Sequence, residues 1–522
     1  MLNFTFKRDS LTKQLPKNLV FNFGYFGINI IIGLLLVPYF IDTLGVAGYA
    51  LIPLATSMTS YVNLVILSLN SSVSRYLTID LQKEDYNTAN KTFNTALFGT
   101  LGLVLLMLPV ALIISYYAPE FFEISSEQKQ DATLLFIGVI CAFLLRAWSS
   151  NFGVSLFAYN RLDLQKTIDS INLITQVILI ITLFTIFSPK LSYIGFSYLL
   201  GALIASIITI YFSRKVNPHL KIRFKDFELS QLKKITDTGG WITITQIGTL
   251  FYLQIDLIVV NRLFDTVAGG EYSIVLMWSI LLRGVAGLFA GVLTPVVLSY
   301  YAKDKFEEII SMSKSSVKFM GLTMALPIGI VCGFAPIILS IWVGPEFIKL
   351  WPLMLVLLLH LVINLSVLPL FSINVAYNKV KIPGLVTLFM GIGNLLLAIA
   401  LPLITNWGYY GVAIAGAIML TAKNALFTPL YTAKIMDISR NTFTGSMLLG
   451  ITLAIIVTGI SRIIYTYLDI SSIVPLVISC ALISIIYFGF SWTTCLNKKE
   501  RSILVSFIPL KIRRQLKIAQ YS

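Results

Sequence analysis

The chain has 522 residues, 57% hydrophobic and 12% charged, with a mean hydropathy of +0.84 and a formal net charge of +15. Soluble domains carry about 25% charged residues, so half that share over this length excludes an ordinary soluble fold and indicates a polytopic membrane protein. The basic excess does not point to nucleic acid, because it is spread between apolar runs and not gathered on one soluble face.

A crossing helix needs about 20 apolar residues. Fourteen such runs follow in order: 19–41, 49–70, 93–116, 132–157, 167–187, 192–212, 239–263, 272–298, 317–341, 351–377, 383–404, 409–431, 443–465 and 473–492. The expected fold class is an all-α polytopic membrane protein with about fourteen transmembrane helices. The N-terminal segment is basic (Lys7, Arg8, Lys13, Lys17) and precedes a full-length apolar run, which reads as a retained first span and not a cleaved signal peptide. Only Ser188-Pro189-Lys190-Leu191 separates spans five and six. The four cysteines (Cys141, Cys332, Cys480, Cys495) lack metal-ligand spacing and read as small apolar fillers.

Orientation follows from the basic residues. With both termini on one side, 31 of the 39 Lys and Arg fall on that side. The opposite side holds only Lys129, Lys190, Arg262 and Lys349, and Arg146, Arg283, Lys423 and Arg462 remain inside spans. Both termini are therefore expected to be cytoplasmic, with anionic headgroups reinforcing the bias.

The same residues recur. Ala158-Tyr159-Asn160-Arg161-Leu162-Asp163-Leu164 after span four returns as Ala376-Tyr377-Asn378-Lys379-Val380-Lys381-Ile382 after span ten, an offset of 218. Val37 to Thr43 and Tyr49 align with Val260 to Thr266 and Tyr272 at 223; Ser74-Arg75-Tyr76 aligns with Ser299-Tyr300-Tyr301 at 225; Tyr193 aligns with Tyr409 at 216. Offsets that drift slowly without changing order define a repeat. Six spans return the chain to its starting side, so the copies share one orientation and an axis along the membrane normal would relate them, as in parallel transporter repeats. The expected organisation is a first six-span bundle over 1–212 and a basic cytoplasmic link over 213–238, read as an amphipathic surface segment. A second bundle over 239–432, two extra spans over 433–492 and a basic cytoplasmic tail over 493–522 complete it.

Enzymatic chemistry finds little support. No Walker-type nucleotide motif occurs, and no outer loop exceeds the fifteen residues from Tyr117 to Asp131. No catalytic residue, cofactor or metal is assigned. His219 lies in the basic link, and His360, alone in span ten, reads as a hydrogen-bonded packing residue.

Ionisable residues inside spans are costly and mark function by default. Arg146 in span four, Asp256 in span seven, Arg283 in span eight and Lys423 in span twelve stand out. Arg146 precedes Arg161 by 15 residues, about 22 Å along a helix, which carries it past the middle of a hydrocarbon core about 30 Å thick. Asp256 and Arg283 fall in the outer half of adjacent spans, where pairing would tie helices together. Arg146 and Lys423 show no acidic partner in the spans and are read as cavity-lining. Three cations against one anion suit an anionic cargo. Asn364 matches Arg146 at the repeat offset, and Arg462 is expected to snorkel outward. Proline and glycine within spans, such as Pro53, Pro109, Pro327 and Pro402, fit bundles that bend.

Leu44-Gly45 through Gly48-Tyr49, Ser74-Arg75-Tyr76, Ala158-Tyr159-Asn160-Arg161, Lys379-Val380-Lys381-Ile382-Pro383 and Tyr410-Gly411-Val412 together carry a resemblance. The chain resembles polysaccharide flippases of the O-antigen type, in the multidrug/oligosaccharidyl-lipid/polysaccharide exporter superfamily, over spans one to twelve. The resemblance implies movement of undecaprenyl-diphosphate-linked oligosaccharide to the outer leaflet of the bacterial cytoplasmic membrane, driven by protons, ions or the membrane potential. It also implies membrane lipids, a glycan polymerase and glycosyltransferases as partners. Fourteen spans matches lipid II flippases and exceeds the twelve typical of drug exporters. On this reading Arg146, Arg283 and Lys423 attract the diphosphate, and Asp256 holds Arg283 or carries a coupling proton. Two alternatives stay open: a drug or small-molecule antiporter on the same scaffold, and a membrane-bound glycan polymerase or ligase.

Overall fold

A computed structural model describes residues 11–232, 245–251, 253–301, 303–468 and 470–506. Lys7 and Arg8 of the basic N-terminus, the end of the link at 233–238 and the tail beyond 506 lie outside the described residues. All regular elements among the described residues are helical, and twelve helices are long and apolar enough to cross a membrane. The two remaining expected spans are accounted for by continuity and by description. Spans one and two lie on one 72-residue helix, Leu11–Gln82, broken at Gly45 (φ 72, ψ 169), a backbone position that strongly favours glycine. Span seven is described over 245–251 and the helix Ile255–Leu263, and 239–244 of its range lies outside the described residues. This is a multi-pass all-α membrane protein.

Helix ends explain part of the repeat. Among the described residues, six that are not glycine adopt positive φ: Glu84, Glu123, Asn160, Asp304, Asn378 and Asp437. At each, the following amide donates to a carbonyl five residues back, as in Arg161 N to Leu156 O and Lys379 N to Asn374 O, both 2.8 Å. That is the Schellman closure, in which a left-handed residue stops the helix and satisfies its last carbonyls. Asn160 and Asn378 are the same residue in the two copies, so the repeated Tyr-Asn pair marks a helix stop.

Two spans are irregular. Span ten is split into Trp351–Leu358, Leu361–Ser366 and Leu368–Ala376. At the first break Asn364 Nδ2 donates to the His360 carbonyl at 2.9 Å, a side chain competing with the backbone ladder; Pro369 follows the second. Span twelve carries a π-helical segment, Ala422–Phe427, between Tyr409–Thr421 and Thr428–Ile435. Pro429 lacks the amide that would continue the ladder, and the Lys423 carbonyl is satisfied by the Thr428 amide and, at 3.2 Å, by its hydroxyl.

The chain divides into two compact units, Met1–Ile274 with Gly384–Val412, and Val275–Pro383 with Ala413–Ser522. The partition runs through span eight and does not follow the 213–238 link. In the first unit, spans four and six pack so closely that a Cβ on Gly138 would strike the Gly195 backbone, and Ser155 and Ser213 share a 2.7 Å hydrogen bond. Close approach through small residues is the usual basis of helix association in lipid. The described part of the link after span six, 217–232, is largely irregular, with one 3-10 turn at Phe224–Asp226 and a helical start at 229–232. Asn90 and Asn94 hold its backbone from span three, accepting from the Lys221 and Arg223 amides at 2.7 and 2.8 Å and donating to the His219 and Lys221 carbonyls.

In the second unit, Asn374 and Thr432 meet at 3.3 Å between spans ten and twelve, the counterpart of Ser155 and Ser213 at an offset of 219. Span thirteen, outside the repeat, packs on span nine where Gly333 admits Ser461. Tyr487 of span fourteen donates to the Leu322 carbonyl of span nine at 2.7 Å. A C-terminal helix, Lys498–Ser506, opens with a reciprocal Asn497–Glu500 capping box, and Glu500 also pairs with Lys318 of span nine at 2.8 Å.

Candidate functional site

Arg146 lies twelve residues before the end of its helix at Ala158, about 18 Å at 1.5 Å per residue. It has an acidic partner, contrary to the expectation from sequence: Nη2 meets Asp169 Oδ1 at 3.0 Å, and Nη1 lies 3.3 Å from Thr209 Oγ1 of span six. Helix packing sets the level. Gln165 Nε2 donates to the Gly153 carbonyl at 2.7 Å, so Asp169, one turn deeper on span five, comes within reach of a long side chain at 146. Lys166 Nζ takes the other oxygen, Asp169 Oδ2, at 3.2 Å and lies 4.8 Å from the Tyr25 ring centroid. Side-chain exposures are 27% for Arg146 and 29% for both Lys166 and Asp169. Asp169 stands seven residues into its own helix, Leu162–Ile186, about 10 Å, so the guanidinium lies nearer the helix end than the Arg146 backbone does. A part-exposed charge there belongs beside water or polar ligand, not lipid tails. The cluster therefore presents two cations and one anion on spans four and five.

A separate cavity of about 220 Å³ in the same unit is lined by Met58, Met107, Val110, Ile140, Leu144 and Ile258 and is almost wholly apolar. It carries no group able to orient a charged cargo, and its span-four lining residues occupy a different face from Arg146.

Asp256 lies in the first turn of the helix Ile255–Leu263, where backbone dipoles favour negative charge. It is buried and accepts from Asn394 Nδ2 of span eleven at 2.9 Å and from Tyr272 Oη of span eight at 3.3 Å. Asn394 Nδ2 also donates to the Phe251 carbonyl at 2.9 Å, across the interruption in span seven. A second buried acid, Glu271, accepts from Tyr409 Oη at 2.9 Å. Sequence does not single it out, because it stands one residue before the range assigned to span eight. With Asp169 and Glu271 added, the count of three cations to one anion no longer describes the spans.

Arg283 falls in the second unit, with Nε donating to Ser279 Oγ at 3.1 Å and His360 within electrostatic reach. His360 is hydrogen-bonded as expected, Nδ1 lying 2.7 Å from Asn364 Nδ2. Asn364 Nδ2 also lies 3.2 Å from Thr421 Oγ1 of span twelve, much as Arg146 reaches Thr209 between spans four and six. The matched positions 146 and 364 thus contribute a cation in one half and a neutral amide in the other. Lys423 is 7% exposed, inside the π-helical segment, with Nζ 4.9 Å from the Phe371 ring centroid. That burial places Lys423 among packed side chains. Arg462, expected to snorkel, packs against aromatic rings: its guanidinium lies 4.3 Å from the Trp351 centroid and 5.5 Å from that of Tyr465.

Of the sequence-predicted residues, Arg146 and Asp256 share the first unit, and Arg283 and Lys423 the second. Arg146 combines a neighbouring cation with a face open to a ligand. Among the described residues no three His, Cys, Asp or Glu side chains group to hold a metal.

Residues 15–301 match the family described as polysaccharide biosynthesis protein. The chain belongs to that family. This family member is 29% identical over 484 residues to the uncharacterized membrane protein EpsK of Bacillus subtilis (strain 168), covering 93% of this chain and 96% of EpsK. Among solved structures, an inward-facing multidrug resistance MATE family transporter of the MOP superfamily superposes with a TM-score of 0.61 at 14% identity, over 83% of this chain and 94% of that one. The lipid II flippase MurJ, inward closed, gives 0.56 at 20% identity over 86% and 100%. The Vibrio cholerae MATE transporter VcmN gives 0.58 at 13% over 82% and 97%. This member of the polysaccharide biosynthesis family thus has the fold of the MOP transporters and flippases.

Proposed function

We propose that this protein flips undecaprenyl-diphosphate-linked oligosaccharide across the bacterial cytoplasmic membrane for cell-surface polysaccharide synthesis, with both termini cytoplasmic. Transport proceeds by alternating access between two six-span bundles, spans one to six and seven to twelve, related by an axis along the membrane normal. The observation that carries the reading is the accessible Arg146–Lys166 cation pair, set on spans four and five and spaced for phosphate oxygens. Membership of the polysaccharide family and the fold shared with the lipid II flippase MurJ support it. Arg283 and Lys423 add positive charge from the second half, while the lipid tails stay in the bilayer. Asp256 holds a coupling proton or orients its neighbours. A glycan polymerase and glycosyltransferases work on either side of the transport step.

The test replaces Arg146, Arg283 and Lys423 singly by alanine in cells, with membrane levels checked and surface glycan measured. Arg146→Ala is expected to abolish export at normal membrane level. If all three variants export normally, the cationic-cavity reading fails. Buried Asp256 and Glu271 favour a second reading, a proton-coupled small-molecule antiporter on the same fold. Proton-driven uptake of a cationic dye into proteoliposomes, lost in Asp256→Asn, would identify it.

A further inference from the structure

We infer that Asp169 is an exchangeable counter-ion: it occupies the place of the cargo's phosphate on Arg146 and Lys166 and is displaced when the cargo arrives. This rests on the reading of Arg146 as a phosphate contact and makes Asp169 a positioning residue for the same site.

The geometry is that of a stand-in. One carboxylate oxygen takes Arg146 Nη2 at 3.0 Å and the other takes Lys166 Nζ at 3.2 Å. Two oxygens of a single phosphate group would take the same two donors, and arginine pairs well with either anion. Thr209 Oγ1, 3.3 Å from Nη1, and the Tyr25 ring beside Lys166 hold the cations in position without the carboxylate. Exposure separates this acid from a structural one close by. Asp163, six residues before Asp169, has a side chain 2% exposed and bound by Lys17, Arg161 and Gln14. Asp169 is 29% exposed and bridges Arg146 and Lys166. A part-exposed ion pair is weak enough to exchange, while breaking a buried one is strongly unfavourable.

Asp169 also sets the charge the cargo meets. The cluster carries one net positive charge while the carboxylate sits between its cations and presents two once the carboxylate turns away. An empty site is thereby kept from holding two uncompensated cations side by side, and the returning carboxylate competes the phosphate off.

The test uses the full chain in phosphatidylcholine nanodiscs, with binding of farnesyl diphosphate and of farnesol measured by calorimetry at two salt concentrations. Asp169→Asn is expected to bind the diphosphate about tenfold more tightly than wild type, with steeper salt dependence and slower glycan export in cells. Arg146→Gln is expected to bind it about tenfold more weakly, with farnesol unaffected. If Arg146→Gln weakens binding and Asp169→Asn does not strengthen it, counter-ion exchange is overturned while the phosphate reading survives. If Arg146→Gln binds as wild type does, the phosphate reading itself falls. The charge swap Arg146→Asp with Asp169→Arg covers a poorly folding single variant: normal membrane level without diphosphate binding supports the phosphate reading on which exchange rests, and restored export shows a mere helix tie and overturns both.

Discussion

The two copies of the Tyr-Asn turn share a backbone and most of their residues, and they part where Asp163 of the first faces Lys381 of the second. Asn160 and Asn378 have φ values of 57° and 52° and close the same helix stop. After the first copy comes Asp163, which is buried and gathers Lys17 at 3.0 Å, Arg161 at 3.0 Å and Gln14 at 2.8 Å. Asn18 closes the clasp, donating to the Asn160 carbonyl and side chain and accepting from the Asp163 amide. At the matching place in the second copy stands Lys381, which is exposed. Repetition therefore preserved the turn, which backbone sterics demand, and released the side chains to different duties. The first turn fastens the start of span one to spans four and five, near the cation cluster; the second is a helix stop on the surface.

The largest effect should come from breaking the clasp. Asp163→Ala leaves donors from three residues without their acceptor. Removing one partner of a buried ion pair costs about 3–5 kcal/mol, and the lower end applies because Lys17 stays 35% exposed. Lys381→Ala, at the matching exposed position, should change stability by no more than about 0.5 kcal/mol. Thermal unfolding of the purified protein in detergent measures both. Equal shifts would show that the two turns are energetically alike.

Next in size is Asn160→Ala. It places a Cβ-bearing residue without a compensating side-chain amide in the left-handed region, at about 1–2 kcal/mol. It also removes the side-chain acceptor of Asn18 Nδ2 at 3.0 Å, for about 1 kcal/mol more. Asn378→Ala carries the backbone part alone. The difference between the two losses isolates what the clasp adds.

Sequence reveals these features unequally. Apolar runs survive as a signal because a lipid-facing helix needs them along its whole length, and the four charges inside spans stand out against that background. The Arg146–Asp169 pair does not, although Asp169 lies inside the assigned range 167–187. Their pairing depends on the register between spans four and five, visible only where Gln165 meets Gly153. The first break in span ten is equally silent, since it lies where one Asn364 side chain reaches the His360 carbonyl, whereas the second is announced by Pro369. The π-helical segment at Lys423 has a local signal in Pro429, whose missing amide disturbs the preceding turn.

The smallest effect is the most discriminating. Glycine adopts positive φ without steric cost, so Asn378→Gly keeps the turn and loses only an exposed side chain; its stability should stay within about 0.5 kcal/mol of wild type. Asn160→Gly keeps the same turn but forfeits the side-chain contact with Asn18, so it should lose about 1 kcal/mol. A glycine that is neutral at 378 and costly at 160, read by the same thermal unfolding, would separate backbone demand from side-chain fastening. If glycine is neutral at both, the Asn18 contact adds nothing and the first turn, like the second, is held by its backbone alone.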